Sequence, residues 1–125
     1  MLGLGCSITL VACGSLDTNS ASSVCAKIEE SGVGANCSQE ESAGLGIGAT
    51  EKYAFDLPSV PGEGGQVLIF DDANTYEKTV EAYAEMASLA GPHRYGNEEA
   101  LVFVQINEGL STQDGETVKS IVDNL

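Results

Sequence analysis

Apolar and polar residues alternate along residues 52–57, and this period-two pattern predicts a half-buried strand. Tyr53, Phe55 and Leu57 fall on the side expected to be buried. The next residues, 58–65, are rich in proline and glycine, which is typical of turns. The pattern therefore predicts a strand that ends at a tight connection.

Two further strands are predicted from short apolar segments, residues 66–70 and 100–106. Both faces of the second segment are apolar, which favours an interior strand covered on both sides. Residues 38–50 are polar and rich in glycine, so we expect a loop there.

Three segments are predicted as helices. The first covers residues 24–31, with Ser22 or Ser23 as its N-cap and Gly32 at its end. A long helix follows Asn74, with Glu77 in the capping-box position. Its apolar stripe consists of Tyr76, Val80, Tyr83, Ala87 and Ala90.

The last helix is expected to start after Ser111, with Asp114 at the reciprocal position of the cap. Gly115 weakens its first turn. The predicted order is α-β-β-α-β-α, which is an α+β, two-layer fold. We expect a three-stranded mixed sheet packed with helices on one face. Its third strand would be central, parallel to the second through a right-handed crossover and antiparallel to the first.

Residues 2–12 form an uncharged, largely apolar segment at the start of the chain. Its 11 residues are too few to span a bilayer but suit the apolar region of a secretory signal. The segment ends in Leu10-Val11-Ala12-Cys13, which resembles the lipobox of bacterial lipoproteins. Unlike most signal peptides, it contains no lysine or arginine; Lys27 is the first basic residue.

The resemblance implies three segments: a signal peptide at 1–12, a flexible tether at 13–22 and a single domain at 23–125. Cys13 would carry a diacylglycerol with palmitate-type acyl chains and anchor the protein in the cell envelope. Gly14, rather than Asp, at the next position favours the outer membrane. An unlipidated secretory signal, giving a secreted soluble protein, and a short buried N-terminal helix or strand remain open alternatives.

The segment from Phe55 to Phe70, together with residues 91–96, resembles small uncharacterised envelope lipoproteins of the kind common in myxobacterial-type proteomes. This resemblance implies a location in the envelope and no specific activity.

The four cysteines fit the same interpretation. Cys6 would leave with the signal peptide and Cys13 would be acylated. Cys25 and Cys37 would then pair as a disulfide in an oxidising compartment. A metal pair is the alternative, but zinc ligands are usually two to four residues apart and come with a second pair.

The charge excludes one class of partner. The chain carries 19 acidic and 5 basic side chains, a formal charge of -14. Nucleic-acid binding needs clustered basic residues, so we expect no nucleic-acid partner. The acidity also favours attachment to a membrane by acyl chains over attachment by charge.

The best candidate for chemistry is the segment 91–96, which is predicted as a loop before the third strand. His93 would act as acid or base, Arg94 would bind a carboxylate or phosphate, and Tyr95 would donate a hydrogen bond. The simpler interpretation is structural: Tyr95 packs and Arg94 pairs with a neighbouring glutamate, Glu98 or Glu99.

Two acidic groups have weaker functional interpretations. Asp71 and Asp72 follow the second strand, where they would hold a divalent cation or simply favour the start of a helix. Glu77, Glu81 and Glu85 share one helix face, which is either solvated or meets a basic partner. We expect no metal, cofactor or catalytic residue.

The function predicted from the sequence is a non-enzymatic, lipid-anchored envelope module that binds another envelope protein or a cell-wall component. One alternative is a small extracytoplasmic enzyme or ligand-binding domain centred on His93 and Arg94. Another is a secreted hydrolase inhibitor that presents residues 58–65 or 91–96.

Overall fold

The computed structural model describes residues 20–41 and 48–125. These residues form four helices and five strands. In chain order the elements are α1 Ala21–Glu30, β1 Ala35–Glu40, β2 Glu51–Asp56, β3 Gly64–Ile69, α2 Ala73–Glu85, α3 Ala87–Ala90, β4 His93–Asn97, β5 Val102–Ile106 and α4 Thr112–Asp123.

The five strands form one sheet in the order β1-β2-β3-β5-β4, and every neighbouring pair is antiparallel. The predicted three-stranded mixed sheet is therefore wrong, although the mixed α and β content is right. The direction of β5 differs from the prediction because of β4, a strand that occupies most of the predicted loop 91–96. This extra strand turns the chain round before β5, so β5 runs antiparallel to β3 and the expected parallel crossover does not form.

The second missed strand is β1, which overlaps the predicted loop 38–50. It lies at an edge of the sheet, and its side chains are mostly exposed. A bulge interrupts its pairing with β2 between Ala35 and Ser38, and Asn36 has a positive φ of 58°. The predicted disulfide is confirmed: Cys37 in β1 is bonded to Cys25 in α1.

The first helix begins earlier than predicted. Its N-cap is Ser20, whose hydroxyl accepts a 3.2 Å hydrogen bond from the Ser23 amide. Ala21 and Ser22, assigned to the tether from sequence, therefore lie in α1. The end is as predicted, since Gly32 follows the helix with a φ of 87°.

The long helix also begins at a different cap. Asp72, rather than Asn74, caps α2 by accepting a 2.8 Å hydrogen bond from the Thr75 amide. The helix ends at Glu85, and after a break at Met86 the short α3 continues to Ala90. The cap of α4 is as predicted, because the Ser111 hydroxyl accepts from the Asp114 amide at 3.1 Å.

The helices pack on both faces of the sheet rather than on one. On the first face, α1 and α4 cover an apolar core to which β5 contributes Val102, Val104 and Ile106. On the second face, α2 and α3 cover a smaller core that includes Leu68 and Phe103. All five residues of β5 are buried, which confirms the prediction of an interior strand.

Candidate functional site

The predicted site residues His93, Arg94 and Tyr95 are consecutive in strand β4 and do not form a loop. Successive side chains of a strand point to opposite faces of the sheet. His93 and Tyr95 therefore lie on the first face, beside α4, and Arg94 lies on the second. This alternation separates the two residues proposed to act together.

Hydrogen bonds occupy both ring nitrogens of His93. Nε2 lies 3.0 Å from the Leu110 carbonyl oxygen, and Nδ1 lies 2.8 Å from the Tyr95 hydroxyl. Because a carbonyl oxygen only accepts, Nε2 carries a proton, and in the neutral imidazole Nδ1 then accepts from the Tyr95 hydroxyl. Burial, followed by the negative charge of Glu116, raises the pKa of Tyr95 above its ordinary value. The arrangement joins β4 to the segment that leads into α4.

Gly115 explains how α4 comes so close to these side chains. A Cβ atom at this position would lie 2.5 Å from the Tyr95 hydroxyl oxygen and 2.8 Å from His93 Nδ1. The sequence predicts Gly115 only as a weak point of the helix. In the structure it leaves the space into which the two rings fit.

Arg94 makes a short-range contact. Its Nε donates a 2.9 Å hydrogen bond to the Gly91 carbonyl oxygen, so the predicted pairing with Glu98 or Glu99 is replaced by a bond to the backbone. The contact braces the turn between α3 and β4.

The acidic candidates have local roles. Asp72 is the cap of α2, and the amide and then the hydroxyl of Thr75 lower the pKa of its carboxyl group. Glu77 and Glu81 line a surface cavity of about 300 Å³ with Glu98. A hydrogen bond with Glu98, followed by the charge of Glu98, raises the pKa of Glu77. The described residues contain no cluster of three or more potential metal ligands.

Among the described residues, no helix packs on the second face of the sheet over β1, β2 and the start of β3. Here Lys52 is paired across the strands with Glu40 on one side and with Leu68 on the other. Helix α2 covers Leu68 and Phe103, but Lys52 and Glu40 remain accessible. We call this region the open sheet face. The open sheet face contains a cavity of about 330 Å³. The cavity is lined by Glu40, Lys52, Ala54, Phe55, Gly64, Gly65, Gln66, Gln105 and Asn107.

A hydrogen-bond network separates the open sheet face from the core under α2. Gln66 Nε2 donates to the Tyr83 hydroxyl at 2.6 Å and to Gln105 Oε1 at 3.1 Å. Gln105 is 6% exposed, and its Nε2 donates to the Ala90 carbonyl oxygen at 2.7 Å. Burial raises the pKa of Tyr83, opposed by the bond from Gln66. The network holds the two glutamine side chains in place at the edge of the cavity.

Sequence reasoning missed the open sheet face because its residues come from four strands that are distant along the chain. Two signals were present. Gln66 and Gln105 each lie in an otherwise apolar strand, and a polar side chain in such a position needs a hydrogen-bonding partner.

The proposed lipidation residue, Cys13, lies outside the described residues. Among residues 20–41 and 48–125, no helix is long and apolar enough to cross a membrane. Comparison with known proteins gave no matching family model, no matching curated protein and no matching solved structure.

Proposed function

We propose that the protein is a lipid-anchored module of the bacterial cell envelope that binds an envelope component without catalysing a reaction. The observation that carries the binding role is the open sheet face. It contains a cavity whose border includes five polar side chains, those of Glu40, Lys52, Gln66, Gln105 and Asn107.

Two features support the envelope location. One is the lipobox-like Leu10-Val11-Ala12-Cys13. The other is the Cys25–Cys37 disulfide, because such bonds persist mainly in oxidising compartments. The Cys13 sulfur would form a thioether to a diacylglycerol donated by a phospholipid. The phosphate headgroup would leave with the thiol proton, and hydrolysis of the Ala12–Cys13 peptide bond would follow.

The test is the intact mass and detergent partitioning of the full chain expressed in a bacterial host, beside Cys13→Ser. We expect the wild type to lose residues 1–12, gain the acyl mass and enter the detergent phase. Cys13→Ser should do none of these. Alkylation before and after reduction should label Cys25 and Cys37 only after reduction. A full-length, unacylated wild type in the aqueous phase would refute the anchor.

A second candidate function, hydrolase inhibition, is favoured by the rigidity of the exposed turn between β2 and β3. Leu57 and Glu63 close this turn with a 3.1 Å hydrogen bond from the Leu57 amide to the Glu63 carbonyl oxygen. Val60 is bonded to both ends at 3.0 Å. Inhibition of a hydrolase that is lost on replacing Pro61 by alanine, but kept in Lys52→Ala, would support this alternative over the open sheet face.

A further inference from the structure

The chemistry of the open sheet face narrows the class of ligand, on the basis of the binding role proposed above. Three carboxamides border the cavity, those of Gln66, Gln105 and Asn107, and a carboxamide both donates and accepts hydrogen bonds. Glu40 and Lys52 add one strong acceptor and one strong donor. The site is therefore suited to a ligand that offers donors and acceptors together.

Some of these groups retain bonding capacity. Within the described part of the chain, Gln66 Oε1, Asn107 Nδ2 and Lys52 Nζ have no hydrogen-bond partner. By contrast, both polar atoms of the buried Gln105 side chain are bonded. Gln105 is therefore a positioning residue that holds the Gln66 amide, whereas Gln66, Asn107 and Lys52 are available to a ligand.

Local charge separates the open sheet face from the rest of the molecule. One cation and one anion border the cavity, so the site is balanced, whereas the whole chain has a formal charge of -14. An anionic ligand would meet the negative field of the protein. A cationic ligand would find a single carboxylate beside an ammonium group. An uncharged ligand with many hydroxyl groups is repelled neither by the net negative charge of the protein nor by the Lys52 ammonium group.

We infer that the open sheet face binds a neutral saccharide. The Gln66 and Asn107 amides and the Lys52 ammonium group would make hydrogen bonds to sugar hydroxyl and acetamido groups. Glu40 would accept from a further hydroxyl. The small side chain of Ala54 on the border of the cavity leaves space for the ring above the strands. In an envelope protein, this chemistry corresponds to the glycan part of a wall or surface polymer.

The test is a titration of the full-length, isotope-labelled protein in detergent, followed through the side-chain amide signals of glutamine and asparagine in NMR spectra. The probes are chitotetraose, maltotetraose, cellotetraose and mannotetraose, each to about 10 mM, with glycylglycine and inorganic phosphate as charged comparisons. We expect at least one oligosaccharide to saturate and to shift the Gln66 and Asn107 signals, with little response to the charged probes.

Variants connect binding to the site. Lys52→Ala and Asn107→Ala should each weaken binding about tenfold, the effect of one lost hydrogen bond to a ligand. Lys78→Ala, an exposed lysine of α2, is the matched control and should bind as the wild type does. Unchanged backbone amide spectra of each free variant show that it is folded.

Three results would overturn the inference: no response to any of the four oligosaccharides, equal binding by Lys52→Ala and Lys78→Ala, or saturable binding of glycylglycine alone. These outcomes are independent of the acylation test. If the protein binds a sugar but is not acylated, the proposed binding site stands and the proposed lipid anchor is wrong. If the protein is acylated but binds none of the four oligosaccharides, the proposed envelope location stands and the proposed saccharide ligand is wrong.

Discussion

The two faces of the sheet are built from the same strands but differ in chemistry. In β5, Val104 and Ile106 point to the first face and are fully buried under α1 and α4. Gln105, between them, points to the second face and enters a hydrogen-bond network. The first face is covered by apolar residues of α1 and α4, whereas α2 and α3 cover the second face over β5 and the end of β3.

This difference indicates a division of roles. Apolar burial, worth roughly 25 cal/mol per Å², is concentrated on the first face and provides most of the stability. On the second face, polar groups under α2 form hydrogen bonds with one another, whereas those over β1 and β2 remain accessible to solvent. Substitutions should therefore change mainly stability on the first face and mainly binding on the open sheet face.

The largest contrast is expected between Ile106→Ala and Lys52→Ala. Ile106 is fully buried on the first face, so its truncation leaves a cavity and should lower the free energy of unfolding by about 2–5 kcal/mol. Lys52→Ala should change it by less than about 0.5 kcal/mol. Urea denaturation followed by circular dichroism measures both. Similar losses in the two variants would contradict the division between the faces.

The disulfide is the next largest effect, and it belongs to the first face. It links α1 to β1 across a sequence separation of 12, which corresponds to about 3 kcal/mol of stabilisation. The double variant Cys25→Ala/Cys37→Ala should lose about this amount and should not respond to reductant. If reductant leaves the urea midpoint of the wild type unchanged, β1 is held by its strand pairing and packing alone.

On the second face, Gln105→Leu tests the network. The substitution leaves the Ala90 carbonyl group without its side-chain donor and removes one of the two acceptors of the Gln66 amide, which keeps its bond to Tyr83, at a cost of about 1–3 kcal/mol. Tyr83→Phe removes only the hydroxyl that accepts from Gln66 and should cost about 0.5–1.5 kcal/mol. Equal stability of Gln105→Leu and the wild type would mean that the network contributes nothing to folding.

The hydrophobic pattern predicted the interior strands and missed both edge strands. β2, β3 and β5 bury apolar side chains, so their apolar residues reveal them. β1 and β4 are held mainly by backbone pairing on one side, by the disulfide and by the bonds of His93 and Tyr95. The residues around β4 include Gly91, Pro92 and Gly96, which favour a turn.

One missed strand changed the predicted topology. Each antiparallel strand reverses the direction of the chain, so omitting β4 makes β5 run the wrong way relative to β3. The candidate site failed for a related reason. In a loop, His93 and Arg94 would converge on one ligand, whereas in a strand they point to opposite faces. By contrast, the disulfide followed from counting the cysteines and did not depend on the topology.

High pH should destabilise both faces through one buried and one partly buried tyrosine. Burial raises the pKa values of Tyr83 on the second face and Tyr95 beside α4 above the ordinary value. A raised pKa stabilises the fold below the unfolded-state value of about 10, and this stability is lost as pH rises through the folded-state pKa. The urea midpoint should fall as the pH rises above about 10. Tyr83→Phe and Tyr95→Phe should each make the urea midpoint fall less steeply with pH. If the dependence on pH is the same in both variants as in the wild type, ionisation of these tyrosines is not the cause of the loss of stability.

The smallest effect is expected at the surface of the second face, where Glu77 lies close to Glu98. The bond with Glu98 and the charge of Glu98 raise the pKa of Glu77, so the pair stabilises the fold below the ordinary glutamate value of about 4.3. That stability is lost as pH rises through the folded-state pKa. Glu77→Gln should therefore raise the melting temperature slightly at pH 7, where it removes the repulsion, and should give no gain near pH 4. Glu81→Gln, one helical turn later, is the matched control. An equal gain in both variants at pH 7 would assign the effect to the net charge of the helix and not to the pair.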